Sequence, residues 1–579
     1  MSRRRAVLLA SGLLLLVVLV LGALVGWRAL QVNDSLQQAV RDAESLQTSL
    51  ESGEQEEIDT ALARLQASAD EAADLTGGAI WSLATIPPFV GDDAQGVRTA
   101  ARVVSDLSND GIGPLAETAT QLDRLLPQDG RIDTAAVSDL RAPIATAAQA
   151  LAAAEADLAA EDSSGFVGRF RVKYRELTTL VSDAAQAMDS AQVTVGLLPD
   201  LLGQDGPRSY LLVFQNNAEI RATGGLPGAM SVLEVDDGAI ALGRQDSAAA
   251  FGERDEPVLP LTDEEVEVYS EKLGTFMLDA NFTPDWPRAA ELIRARWEEV
   301  HPEELDGVLT LDTIAVSYLL GATGPVDVGP YTLTADNAVD TLLNQAYIDI
   351  PEPSAQDAFF RLVAKTVFER ISSGDVGAPR ELLRALVRAG DEGRVAVNLT
   401  DGAEQEQIAE RRVAGATTDA AGVADGFDVT LLDGTGSKMS YYLEYRTRAT
   451  VTSCTDGVAR VRLATTLVSD PPDSPEDLPR YITGGVNVST EPGEQLVQVR
   501  MLTPSDARLR GFTIRGKQIR PQADQLDGRR VSTAFLLLEP DEPADVTWTV
   551  DVPVTGESIP VRVTPGIEPR DYSSTLRAC

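Results

Sequence analysis

The chain holds a single histidine, His301, and two cysteines, Cys454 and Cys579, among 579 residues. That excludes sites built from several imidazole or thiolate ligands, a structural zinc included. His301 stands in "EEVHPEEL", at a helix end before Pro302 and with no glycine-flanked nucleophile near it, so serine-histidine hydrolysis has no triad to draw on. Basic residues are scarce too. Lys and Arg number 49 against 89 Asp and Glu, a formal charge of -40, and such a surface repels phosphate backbones, so nucleic acid is not an expected partner. Apolar residues make up 44% and charged residues 24%. Those are near-globular values, so the acidity belongs to a folded surface and not to a disordered tail.

What the chain does have begins at its N-terminus, "MSRRRAVLLASGLLLLVVLVLGALVGWR". Three arginines precede an uncharged run from Ala6 to Val25, and Trp27 and Arg28 follow it. About 20 residues at ~1.5 Å rise span a bilayer core, so residues 1–28 read as a cytoplasmic basic end and a transmembrane anchor. The run is long for a signal peptide, and "LGALVGW" is a poor cleavage site. Arg3, Arg4 and Arg5 place the N-terminus inside. The expected location is therefore the cytoplasmic membrane, single-pass, with the bulk of the chain outside and the membrane itself as a partner. In an oxidising compartment Cys454 and Cys579 either close a disulfide pinning the C-terminus to a β domain or remain two thiols.

The fold class expected beyond the anchor is multi-domain. Residues 29–203 carry apolar positions at helical spacing, Ile58, Leu62, Leu65, Ala69 and Ala72 among them, and read as an all-α stalk or bundle. From 204 to 425 short β-type runs alternate with helical ones: "YLLVFQ", the turn pair Asp237-Gly238, "LDGVLTLDTIAVSYLLGATGPVDVG" with Asp312 as N-cap, and "RVAVNL". This is α/β grammar. From 426 to 579 strand-like runs recur with turns between them, and a C-terminal all-β sandwich covers both faces economically. "GTGSK" lacks the spacing and the following helix of a phosphate loop.

The least average stretch is "VFQNNAEIRATGGLPGAMSVLEVDDG". Asn216 and Asn217 can donate and accept, Glu219 can pair with Arg221, and Thr223, Gly224 and Gly225 form a flexible turn. An arginine beside free backbone amides holds phosphate or carboxylate well. The same groups can equally satisfy one another and act only as scaffold.

"QNNAEIRATGG", "MLDANFTPDWPRAA", "DGVLTLDTIAVSYLLGATGPVDV" and "GSKMSYYL" together resemble the bacterial domain-of-unknown-function family 4012, actinobacterial members especially, over roughly residues 205–445. More distantly, the core looks like LytR-CpsA-Psr proteins. Those are membrane-anchored enzymes that move glycopolymers from polyprenyl pyrophosphate onto the cell wall, using arginines and a magnesium-holding aspartate. The likeness implies that Arg221 matches the arginine of an Arg-Ser-Asp motif. Ala222 and Thr223 follow it here, so the metal aspartate is missing. "NQAYIDIPEP" keeps Tyr347 of a later Tyr-x-Arg-x-Arg motif but neither arginine, and Arg361 is the candidate for a late one. Each lost arginine or metal ligand costs a factor on the order of 100 or more in such transfer.

Two functions follow as expectations. The favoured one is a non-catalytic envelope protein whose α/β core binds a polyprenyl-linked glycan or a cell-wall polymer through Asn216, Asn217, Glu219, Arg221, Thr223, Gly224, Gly225 and Arg361. The alternative is a LytR-CpsA-Psr-like phosphotransferase with Mg2+ held by Asp306 or Asp312; otherwise no cofactor is expected. Oligomeric state is open, because the helical stripe serves a bundle or a dimer equally well.

Overall fold

The computed structural model describes the chain apart from residues 1–2, 53, 88–90, 119–123, 129, 375–378, 419–424, 485–487, 521, 555 and 557, and apart from the side chains of 3–22, 51–52, 117, 379 and 522–523. It divides into two compact units, residues 1–125 with 133–199, and residues 126–132 with 200–579.

The first unit is helical: α1 (Arg3–Ser52), α2 (Gln55–Gly77), α3 (Gly91–Asp106), α4 (Arg141–Ala159) and α5 (Gly168–Leu201). Ala39 and Leu46 of α1 pack on Ile58, Ala61 and Leu65 of α2. A second cluster brings Phe166 and Tyr174 against Val103 and Leu158. Small residues at helical spacing let the helix axes approach, as the alanine-rich sequence demands.

The membrane expectation is corrected here. Among the described residues no helix is long and apolar enough to cross a membrane. The run from Ala6 to Val25 is not a separate span but the first part of the 50-residue α1, which continues into turns packed on α2. Most of that run lies outside the residues whose side chains are described. The transmembrane part of the expected fold class, and the single-pass location resting on it, are therefore unsupported.

The second unit opens on a five-stranded mixed sheet in the order β3-β2-β1-β4-β7. Its strands are β1 (Arg208–Arg221), β2 (Gly224–Asp236), β3 (Ala239–Ser247), β4 (Gly307–Asp312) and β7 (Val395–Leu399). Strands β5 (Val326–Val328) and β6 (Tyr331–Leu333) pair separately. The β2–β3 turn uses Asp237 and Gly238, both at positive φ. Strands β1 and β4 run parallel, with Gln215 opposite Asp312. On one face Leu211, Val213 and Val308 pack against α6 (Trp286–Val300) through Trp286, Ile293 and Trp297. The other face is covered by α7 (Thr313–Thr323) and α8 (Pro353–Ser372), and α9 (Pro379–Asp391) packs outside α7.

The remaining strands form two sheets. One runs β13-β12-β16-β10-β9, the other β14-β15-β11-β8-β17-β18. In chain order they are β8 (Phe427–Asp433), β9 (Leu443–Thr455), β10 (Val458–Ser469), β11 (Gln495–Leu502), β12 (Arg508–Ile514), β13 (Lys517–Gln518), β14 (Gln522–Leu526), β15 (Arg529–Leu538), β16 (Ala544–Pro553), β17 (Ser558–Val563) and β18 (Ser574–Arg577). Their inner faces share one core around Phe427, Leu463, Val499, Leu536 and Trp548. A disulfide joins Cys454 at the end of β9 to Cys579 beyond β18, tying one sheet to the other. The sandwich does not stand apart from the α/β sheet: Ile220 of β1 lies in its core, and Leu502, Leu526 and Val531 lie in the core of the α/β sheet.

Candidate functional site

Ligands of α/β sheets bind beyond the carboxyl ends of parallel strands, and a cavity of about 230 Å³ lies there, past the end of the β1–β4 pair. Its walls are mostly apolar: Phe214 from β1, Leu311 from β4, Val316 from α7, Leu342, and Phe360, Val363, Ala364 and Val367 from α8. The four α8 residues fall at helical spacing, so one stripe of that helix faces the cavity. The polar lining includes Asn216, Glu219, Asp312, Tyr347, Arg361, Lys438 and Tyr481.

Strand β1 does not stop at "YLLVFQ". It carries Asn216, Asn217, Glu219 and Arg221 within the strand, with a register shift between Asn216 and Ile220. The shift lets neighbouring residues serve different places. Asn216 Nδ2 donates to the Tyr347 hydroxyl, and its Oδ1 accepts from the Ala218 amide at 3.0 Å. Glu219 is shared between two cations: Lys438 Nζ donates to Oε2, and Arg221 donates to Oε1 at 3.0 Å. Burial alone would push the Glu219 carboxyl up, but Lys438 and Arg221 together hold it below the usual carboxylate range. Burial likewise opposes the Lys438 charge, and Glu219 outweighs it and keeps the ammonium protonated. The ammonium also sits 5.6 Å from the Tyr347 ring and 5.4 Å from that of Tyr481.

Arg221 is withdrawn from the cavity. It is buried, paired with Glu219, 3.5 Å from Asp279, and stacked over Phe282 at 5.3 Å. Burial raises the Asp279 carboxyl to about 6, against the pull of Arg221. Thr223, Gly224 and Gly225 form a tied turn. Gly225 donates its amide to Gln215 Oε1 at 2.9 Å, and Asn281 Nδ2 donates to Thr223 Oγ1 and to the Gly225 carbonyl. A Cβ on Gly225 would lie 2.3 Å from the Asn216 carbonyl carbon, so only glycine fits that crossing.

The two aspartates considered for a metal do not meet. Asp306 and Asp312 bracket β4, six residues and roughly 20 Å of extended chain apart. Asp306 accepts from the Ser209 amide at 2.7 Å and from Arg208 at 3.2 Å. Asp312 caps α7 through the Ala315 amide at 2.8 Å and accepts from Asn217 at 3.1 Å and Arg394 at 2.9 Å. Both oxygens of each are engaged, and no group of three or more possible metal ligands exists among the described residues. These residues do not fit a magnesium ion.

Of the residues chosen from sequence, then, Asn216, Glu219, Asp312 and Arg361 line the cavity, whereas Asn217, Arg221, Thr223, Gly224, Gly225 and Asp306 hold the strands and turn around it. Arg361 is half-buried on α8 and forms no hydrogen bond or ion pair with any described residue. Lys438 was missed from sequence. It stands at the end of "DGTGSK", where Asp433 accepts from the amides of Thr435, Gly436 and Ser437 and fixes the loop. The usable signal was a lone lysine within "GSKMSYYL", one of the family-like strings.

Residues 205–347 match the family described as Protein of unknown function (DUF4012). No curated protein and no solved structure matches the chain. The DUF4012 segment includes Asn216, Glu219, Asp312 and Tyr347 but stops before Arg361 and Lys438. The family resemblance is supported over that segment, and the LytR-CpsA-Psr likeness is not shown by these comparisons.

Proposed function

We propose that the cavity binds the phosphate-bearing head and first isoprene units of a polyprenyl-linked glycan, and that the protein holds this carrier without transferring its glycan. The observation that carries this is Arg361, whose guanidinium has no partner among the described residues and which lines a cavity with mostly apolar walls. A guanidinium without an ion-pair partner among the described residues gains a charge-assisted hydrogen bond when an anion joins it. Lys438 and the Asn216–Tyr347 pair add donors, and the α8 stripe offers a dry surface to hydrocarbon. A binding role is favoured over phosphotransfer because Asp306 and Asp312 are engaged with other groups and face different ends of β4. Arg221, the arginine that the LytR-CpsA-Psr likeness would place on pyrophosphate, is neutralised by Glu219.

The test is calorimetric titration of the protein with farnesyl pyrophosphate, with and without Mg2+, followed by an assay for released phosphate. Binding without release is expected. Absence of binding sinks the carrier idea, and Mg2+-dependent release overturns the non-catalytic assignment in favour of transfer.

A further inference from the structure

A second surface, on the sandwich and independent of the cavity, carries charge of the wrong sign for this protein. The chain bears -40 overall. On strands β9, β10, β12 and β16 the inward positions fill the core and the alternate positions face out. The outward charged residues are Arg446 and Arg448 on β9, Arg460 and Arg462 on β10, and Arg508 and Arg510 on β12. Glu444, Asp545 and Asp551 oppose them on the strands, and Asp456 and Asp506 lie at the end of the face that holds Arg460, Arg508 and Arg510.

Asp551 takes up two of the six, accepting from Arg460 at 2.7 Å and from Arg510 at 2.7 Å. Asp545 accepts from Thr466 at 2.6 Å. Arg446, Arg448, Arg462 and Arg508 make no hydrogen bond or ion pair with any described residue, and all four are exposed. Arg446 and Arg448 lie two positions apart on one strand, roughly 7 Å. Arg448 lies opposite Ala464, which places Arg462 on its diagonal, about 7–8 Å away. The row is therefore a diagonal track of free guanidiniums. Around them stand Ala464 and the hydroxyl-bearing Thr450, Thr547 and Thr549, with no aromatic ring among the four.

We infer that this sheet face binds a linear, carboxylate-bearing polysaccharide. Guanidinium forks match carboxylates bidentately, and the threonine hydroxyls suit sugar hydroxyls. A flat face without aromatics offers nothing for bases to stack on, and a polyphosphate lacks the hydroxyls that the threonines would meet.

The test is binding of the full chain to immobilised polygalacturonate at about 50 mM salt, with dextran, polyphosphate and oligo(dT) as separate arms. Expected are salt-sensitive binding to polygalacturonate, none to dextran, and weaker binding to the two phosphate polymers. R446S/R448S/R462S is expected to weaken polygalacturonate binding at least ~10-fold with an unchanged melting curve, since none of the three supports the fold. R361A in the cavity is expected to leave it intact. No binding, or equal binding by the triple variant, overturns the inference. Tighter binding to polyphosphate or oligo(dT) overturns the choice of a carboxylated polysaccharide.

Discussion

Lys438 donates to Glu219 across 219 positions of sequence, and both side chains are almost wholly buried. Arg221 holds the other oxygen of the same carboxylate. One carboxylate is thus shared by two cations beside the cavity, and removing different members of the trio has different consequences.

Glu219→Gln leaves two buried cations facing a neutral amide. Losing one partner of a buried pair costs about 3–5 kcal/mol, and the loss here falls at that end of the range or beyond. Lys438→Met leaves Glu219 paired with Arg221 and is expected to cost less. Urea midpoints of the two variants decide the matter; equal values would mean that Lys438 and Arg221 do not share the carboxylate.

Arg361→Ala separates binding from folding. With no partner to abandon among the described residues, its loss should move stability by less than about 0.5 kcal/mol. Farnesyl pyrophosphate affinity should fall ~10-fold or more, about 1.4 kcal/mol. A variant that unfolds, or one that binds normally, removes Arg361 from the site.

Asp279 sets a pH dependence. Burial raises its folded value to about 6 from an ordinary 3.8. Between those values the unfolded chain has released the proton and the folded chain still holds it, so stability falls as pH climbs. The fall amounts to about 3 kcal/mol by pH 7. Asp279→Asn removes the titration. The stability difference between variant and wild type should therefore shift toward the variant from pH 4 to pH 7 in chemical denaturation; a constant difference would place the Asp279 value near that of a free carboxylate.

The disulfide closes a loop between positions 125 residues apart. For loops of that length the entropic contribution is about 4–5 kcal/mol, with measured losses of about 2–5 kcal/mol. Cys454→Ser with Cys579→Ser should lower the unfolding free energy of the second unit by an amount in that range, read as a shifted denaturation midpoint. No change would show that the sandwich is held by its core alone.

Local features were the legible ones. Asp237-Gly238 turns where it was placed because both residues tolerate positive φ, and Asp312 caps α7 because its short carboxylate reaches the Ala315 amide. The start of α6 follows local rules as well, with Asp285 as the cap and Pro287 in the first turn. The pairing of Glu219 with Arg221 was legible too, since two residues along a strand share a face. The full length of β1 was not. Its polar half looks like a loop in isolation and becomes a strand because Asp312 of β4 and the Thr313 amide of α7 satisfy the Asn217 side chain, and Ser440 accepts from the Ile220 amide. Lys438 and Arg394 escaped for the same reason. Each is an ordinary cation in its own neighbourhood and acquires its role only from a carboxylate brought near by the fold.

Arg394 also fastens the start of β7 to the carbonyls of Gly566, Glu568 and Arg570, while the Asp433 loop delivers Lys438 to β1. The segment matched by the family is thus not a module that could be inherited or transplanted by itself. A descendant keeping Glu219 and Asp312 but losing the strands after residue 426 would leave Glu219 without Lys438 and Arg394 without the carbonyls that fasten it. Substitutions at Glu219 and Lys438, or at Asp312 and Arg394, are therefore expected to arise as pairs, which binds the history of the cavity to that of the sandwich.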